Sequence, residues 1–157
     1  MHESEVSPQR SAIMRAVKHR DTKPEMAVRR ALHRLGLRFR LQRRDLPGRP
    51  DIVLPGRRLA IFVHGCFWHR HPDCRRATTP KTRIDFWSAK LEANAARDER
   101  VERELVAAGW KVLIVWECQT KKPEDLTGAL LAGLAALGIS SPRSPRSQGT
   151  QTTRIEP

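Results

Sequence analysis

The chain has 157 residues, room for one domain core and not two. Hydrophobic residues make up 39% of it, enough apolar material to exclude wholesale disorder. The 30 Lys and Arg against 17 Asp and Glu leave a net charge of +13. Because 141–157 contributes only three Arg and one Glu to that balance, the positive charge belongs to the folded part. A basic domain concentrates polyanions, nucleic acid first among them; a basic surface without a partner is the plainer alternative. No stretch approaches the ~20 apolar residues of a membrane span. The start, MHESEVSPQR, lacks the apolar run of a secretory leader. A cytoplasmic protein is expected, and in a reducing compartment Cys66, Cys74 and Cys118 should not be disulfide-bonded.

In chain order, 9–20 is a short basic segment of helix-compatible residues. Asp21 or Thr22 can then cap a helix with Pro24 in its first turn, Val28, Leu32 and Leu35 on its apolar face and Gly36 at its end. Phe39 and Leu41 alternate with Arg38, Arg40 and Gln42, the pattern of a half-buried strand. After LPGRP come strands at 51–54 and 59–64, the first three strands being close enough for a meander. An irregular Cys/His/Trp-rich loop occupies 65–82. A long helix over about 83–108 follows, with Trp87, Leu91, Ala95, Val101 and Leu105 on one face and Gly109 at its end. VLIVWE (112–117) reads as a strand buried on both faces, 123–137 as a last helix, and the Ser/Pro/Arg tail 141–157 as disordered. The order α-β-β-β-α-β-α predicts an α/β sandwich with a mixed sheet in a single domain over 1–140.

Cys66, His71, Cys74 and Cys118 supply three thiolates and an imidazole, the donor set of a closed tetrahedral zinc site. Such a zinc would be structural, pinning the loop to the sheet. The alternative is three unrelated buried thiols beside an exposed His. Asp51 opens one strand and His64 ends its neighbour, so a meander can bring carboxylate and imidazole together, with His69 on the adjoining loop. A carboxylate suits Mg²⁺, and an imidazole can activate a water or protonate a leaving oxygen. Singly, each has a plain reading as a turn cap or an exposed His. Glu25 lies in a first helical turn, where the helix dipole already accounts for an acid. Asn94 and Asp98 interrupt the apolar face of the long helix. Either Asp98 finds a cation or a His as a supporting acid, or the face is broken there and both residues see solvent, the simpler reading. Phe67-Trp68 and Phe86-Trp87 hold four of the eight Phe and Trp residues. Rigid wedges of this kind beside a basic surface unstack base steps most cheaply at a mismatch, although Trp87 could equally be core.

The stretches MRAVKHRDTKPE (14–25), LPGRPDIVL (46–54), IFVHGCFWHRH (61–71), RIDFW (83–87), RDER (97–100) and GWKVLIVWEC (109–118) resemble the very short patch repair (Vsr) endonucleases. The resemblance implies a restriction-endonuclease-like three-layer fold: a central mixed sheet flanked by helices, with one structural zinc site. It implies an endonuclease that nicks double-stranded DNA 5′ to the T of a T:G mismatch left by 5-methylcytosine deamination. Carried over by position, Asp51 is similar to the Mg²⁺-ligating acid, aided by the main-chain carbonyl of Val63. His64 and His69 are similar to the catalytic histidines, and Glu25 to their supporting acid. Phe67, Trp68 and Trp87 are similar to intercalating rings, and Cys66, His71, Cys74 and Cys118 to the Zn²⁺ set. RHPDC (70–74) departs from the family pattern and leaves Asp73 as a substitute for His71. Met14, Arg15, Arg20 and Arg49 are expected to contact DNA, the first three within a basic N-terminal segment, 1–20. An enzyme acting beside mismatch-repair proteins and a cytosine-5 methyltransferase in a bacterial cytoplasm is expected, and a monomer, because a mismatch is an asymmetric target. Two rivals are a non-catalytic zinc-stabilised DNA-binding module and a restriction-type endonuclease cutting matched DNA.

Overall fold

A computed structural model describes residues 19–141 of the chain. The expectations for Met14, Arg15 and the rest of 1–18, and for a disordered tail, lie outside those residues. Helix α1 spans Lys23–Arg34. Of the two candidate caps the structure uses Thr22, whose side chain accepts from the Glu25 N–H at 3.3 Å, with Pro24 in the first turn, where no amide donor is missed. Strands β1 (Arg40–Leu41), β2 (Ile52–Leu54) and β3 (Leu59–His64) form the expected antiparallel meander. Helix α2 (Ile84–Ala107) carries the chain across to β4 (Lys111–Trp116), which pairs parallel with β3, and α3 (Pro123–Ala136) follows. The sheet order is β1-β2-β3-β4, so the sheet is mixed and the fold α/β. Each helix closes on a glycine of positive φ, Gly36, Gly109 and Gly138, and in α1 the Leu37 N–H returns to the Leu32 carbonyl at 3.0 Å.

Alternation along β3 and β4 divides the sheet into two different faces. Leu59, Ile61 and Val115 point with Ile52 and Leu54 into the core, where Val28 and Leu32 of α1 meet Leu126, Leu130 and Leu134 of α3. The opposite face carries Phe62, His64, Val112 and Ile114 into a cleft that α2 borders with Asn94, Asp98 and Val101. Strand β4 is therefore not buried on both faces as expected: it ends the sheet, only Val115 is fully buried, and the cleft-facing residues stay partly open. Leu41 is exposed at 38%, not half-buried, because β1 is a two-residue strand at the other end and only Phe39 reaches the core. On α2 the expected apolar face exists, but only Leu91 and Leu105 are fully covered. Its outer face carries the i,i+4 pairs Arg100–Glu104 and Arg103–Glu99. The turn before β2 fits tightly on this helix. Gly48 has φ +69 and lies so near the Val101 side chain that a Cβ would collide with it.

Candidate active site and metal centre

Asp51 immediately precedes β2, and its Oδ2 accepts the Val63 N–H of β3 at 2.8 Å. A residue in an extended strand sends its N–H and C=O to the same edge, so the Val63 carbonyl leaves toward Asp51 as well. Burial pushes the Asp51 carboxyl up to about 6 against the opposing pull of the Val63 N–H, and the nearby Glu25 carboxylate adds to the rise. A partly buried acid with a second acid nearby is a place where a hard cation would relieve repulsion, and carboxylate and carbonyl oxygens are the donors such a cation prefers. Glu25, itself buried, is held by the Asp21 N–H at 2.9 Å and by Arg29 at 3.4 Å. Among the described residues, the Arg29 Nε has no hydrogen-bond partner.

His64 ends β3, and the loop beyond it folds His69 back onto it. The rings stack at 3.8 Å and 7°, helped by a turn in which the His69 N–H donates to the Gly65 carbonyl at 3.1 Å. Burial and the neighbouring His69 press His64 down to about 4, leaving it neutral at pH 7. His69 Nδ1 lies 2.6 Å from Asp98 Oδ2. This settles the open question about α2: Asp98 does not simply face solvent but holds a histidine. Asn94, the other interruption, donates to the Trp68 carbonyl at 3.2 Å. Both polar residues thus tie the loop to the helix. With the Nδ1 side directed at the carboxylate, Nε2 is the nitrogen left to accept a proton.

The second cluster draws Cys66, His71, Cys74 and Cys118 together, their donor atoms all within 4.8 Å of one another. Cys118 Sγ lies 3.4 Å from His71 Nδ1. A tetrahedral zinc with Zn–S of about 2.3 Å needs donor separations of roughly 3.5–3.8 Å, so these four residues fit that ion. His71, not Asp73, points into the group. Burial pushes the Cys66 thiol up to about 11, whereas the Arg76 backbone N–H lowers Cys74. A cation here would be what ionises the buried thiol.

Phe67 and Trp68 meet Trp87 edge-on or tilted, at 5.6 and 6.0 Å. Phe86, counted among the aromatic wedges in the sequence but not carried over by the resemblance, extends the patch to Trp87 at 5.5 Å and is 47% exposed. Lys90 stands over Trp68, Trp87 and Phe86, with Nζ 5.3 Å from the Trp68 ring. Its position one helical turn beyond Phe86 was the only sequence signal for it. Arg49 is exposed on the cleft wall, and Arg20 is exposed just ahead of α1.

Carboxylates that suit a hard cation and imidazoles that move protons, in a cleft of a strongly basic chain beside a cluster of partly open aromatic rings, are the means of breaking a phosphodiester. The class is a DNA endonuclease. A family profile described as DNA mismatch endonuclease Vsr matches residues 5–76. The Type II nicking enzyme V.XorIIP of Xanthomonas oryzae is 56% identical over 130 residues, covering 82% of this chain and 92% of that protein. The DNA mismatch endonuclease Vsr of Escherichia coli is 47% identical over 122 residues, 78% of each chain. The Type II nicking enzyme V.NmeAIP of Neisseria meningitidis is 42% identical over 112 residues, 71% of this chain and 79% of that protein. The chain belongs to the Vsr family of DNA mismatch endonucleases. Among the described residues, no helix is long and apolar enough to cross a membrane.

Proposed function

We propose that the protein nicks double-stranded DNA 5′ to the T of a T:G mismatch, opening repair of deaminated 5-methylcytosine by Mg²⁺-dependent hydrolysis. The observation that carries the reading is the convergence of Asp51, tethered to Val63, with a stacked His64–His69 pair braced by Asp98. Asp51 and the Val63 carbonyl would hold Mg²⁺, which supplies charge neutralisation at the attacked phosphate when bound.

His69 takes the proton of the attacking water on Nε2 as the opposite phosphorus–oxygen bond breaks and the leaving oxygen takes a proton from a neighbouring water, while the Asp98 carboxylate stabilises the imidazolium that results. His64, neutral and packed against His69, fixes the ring plane and offers a hydrogen bond to the phosphate or its water. Glu25, held on α1 by Arg29, is the supporting acid of this centre. Phe67, Trp68 and Trp87 stack on bases at the mismatch, where unstacking costs least, and Phe86 widens that platform. Lys90, Arg49, Arg20 and the basic N-terminal segment with Met14 and Arg15 contact the strand, the cations supplying salt-dependent affinity.

Cys66, His71, Cys74 and Cys118 would hold a Zn²⁺ that orders the loop carrying both His69 and the rings. Four protein donors leave no open position, so its part is structural. A mismatch is an asymmetric target, so a monomer suffices. The enzyme would work in the cytoplasm, beside a cytosine-5 methyltransferase and mismatch-repair proteins.

The test is strand-specific nicking of labelled duplexes with one T:G pair in several sequence contexts, with Mg²⁺ or EDTA, beside matched controls. A Mg²⁺-dependent nick on the T strand alone is expected. Binding without a nick in any context would leave a DNA-binding module, and cutting of matched DNA would leave a restriction-type enzyme.

A further inference from the structure

Trp116 has no part in the reading above, yet it stands between the two clusters. It is the in-register parallel partner of His64, so both side chains rise from the same face of the sheet, one strand spacing apart. The loop after β3 lays an imidazole on each of them. His69 stacks on His64 at 3.8 Å and 7°, and His71 stacks on Trp116 at 4.2 Å and 12°. His64 and Trp116 meet edge to face at 5.4 Å and 70°.

The supports of this array are as specific as its contacts. The two loop rings are two residues apart, held by turns from the His69 N–H to the Gly65 carbonyl and from the His71 N–H to the Cys66 carbonyl, at 3.1 and 3.0 Å. The Trp116 N–H donates to Gln119 Oε1 at 2.9 Å. Two residues on, Cys118 carries the sulfur that lies 3.4 Å from His71 Nδ1. An unbroken run of ring contacts therefore links a residue of the Cys/His cluster, His71, to His64, His69 and, through it, Asp98.

The geometry points to Trp116 as a positioning residue that couples the Cys66/His71/Cys74/Cys118 centre to the His64–His69 pair; this rests on the catalytic roles proposed above for those histidines. A metal at the cluster would set where the His71 ring nitrogen points, and the stack on Trp116 fixes the rotation left about that bond. The indole face is held against the His71 ring, and an edge-to-face contact with the indole closes one side of His64 while His69 closes another. With the indole removed, His71 keeps its sulfur neighbours, but the side of His64 that Trp116 covered opens, and the stacked pair can tilt against the remaining hold of Phe62 and Asp98. A displacement of about 1 Å at a reacting group is enough to cost turnover up to ~100-fold. DNA affinity depends instead on the cations and the exposed rings around Trp68. A space-filling role for Trp116 predicts something else: lower stability, with unchanged turnover per folded molecule.

Trp116→Leu and Trp116→Phe, prepared with zinc, separate these roles. The measurements are single-turnover nicking, DNA affinity, histidine ring-proton shifts by NMR, and the rate of zinc release to a chelator. For the Leu variant the nicking rate should fall about tenfold with DNA affinity changed less than about twofold, and zinc should leave about tenfold faster. The His64 resonances, which belong to no metal ligand of the cluster, should move. The Phe variant keeps a stackable face and should recover most of the rate. Withdrawal of zinc from the wild-type protein should move the same His64 resonances, a result that needs no variant to fold. Leu-variant nicking within about twofold of wild type, or His64 resonances unmoved by zinc withdrawal, overturns the coupling. If the wild-type protein nicks no T:G duplex, the functional reading fails while zinc release and the NMR shifts still decide the role of Trp116.

Discussion

Replacing Asp98 with Ala removes the partner of His69 and nothing of the core, since Asp98 is only partly buried on α2. The bond at stake is 2.6 Å, short enough to be charge-assisted once His69 takes a proton. Such bonds contribute about 1.5–3 kcal/mol. The two side chains are 29% and 26% exposed, so water competes and the lower half of that range applies. At 1.36 kcal/mol per factor of ten, a loss of about 1.5–2.3 kcal/mol slows the chemical step roughly 10- to 50-fold. The ground state gains less from the carboxylate than the transition state does, so the loss should fall on kcat and leave KM for DNA nearly unchanged. Single-turnover nicking with enzyme in excess measures the first, and fluorescence anisotropy of the same labelled duplex measures binding. A rate within about threefold of wild type, or a loss confined to DNA affinity, would refute a bracing role for Asp98.

Asp51 and His64 make opposite contributions to stability over one pH window. The folded-state pKa of Asp51 is raised to about 6 from 3.8, so its contribution is fully present below about pH 3.8 and is lost as pH rises through 6. That of His64 is lowered to about 4 from 6.5, so its contribution is present above about pH 6.5 and is lost as pH falls through 4. Asp51→Asn without divalent metal should therefore be more stable than wild type at pH 8, by about 2–3 kcal/mol, with the difference vanishing near pH 4. Urea titrations at the two pH values check it, and a difference independent of pH would contradict the assigned burial. Stripping metal with a strong chelator should lower the Tm by about 10 °C or more and release one zinc per chain by elemental analysis; an unchanged Tm in protein lacking zinc would exclude the structural role. Trp68→Ala should weaken binding to a T:G duplex about 10- to 100-fold in an anisotropy titration while affecting matched DNA much less. Equal losses on both duplexes would place Trp68 outside mismatch reading.

Much of the frame depends on neighbours a few residues apart, and is legible for that reason. Thr22, Pro24 and Gly36 bound α1 through bonds that span at most five residues. The short links between the first three strands leave a meander as the economical pairing, which put Asp51 beside the end of β3. Three thiols and a histidine in one small chain are chemically conspicuous wherever folding brings them. Other features depend on which way a helix turns over the sheet, and no local pattern encodes that angle. Asp98 meets His69 across 29 residues, and Asn94 meets the Trp68 carbonyl across 26. From the sequence alone both looked like flaws in an apolar stripe. From Val112 on, both faces of β4 are apolar, yet one is core and the other is cleft. Trp116 reads as one more hydrophobic residue until parallel pairing sets it beside His64. Sequence alone therefore determined the elements, their stops and the kinds of chemistry the chain carries. Tertiary structure alone decided which groups hold one another, because the energy of a hydrogen bond or a ring stack depends on a few tenths of an ångström and on orientation, fixed only when the helix, loop and sheet are packed together.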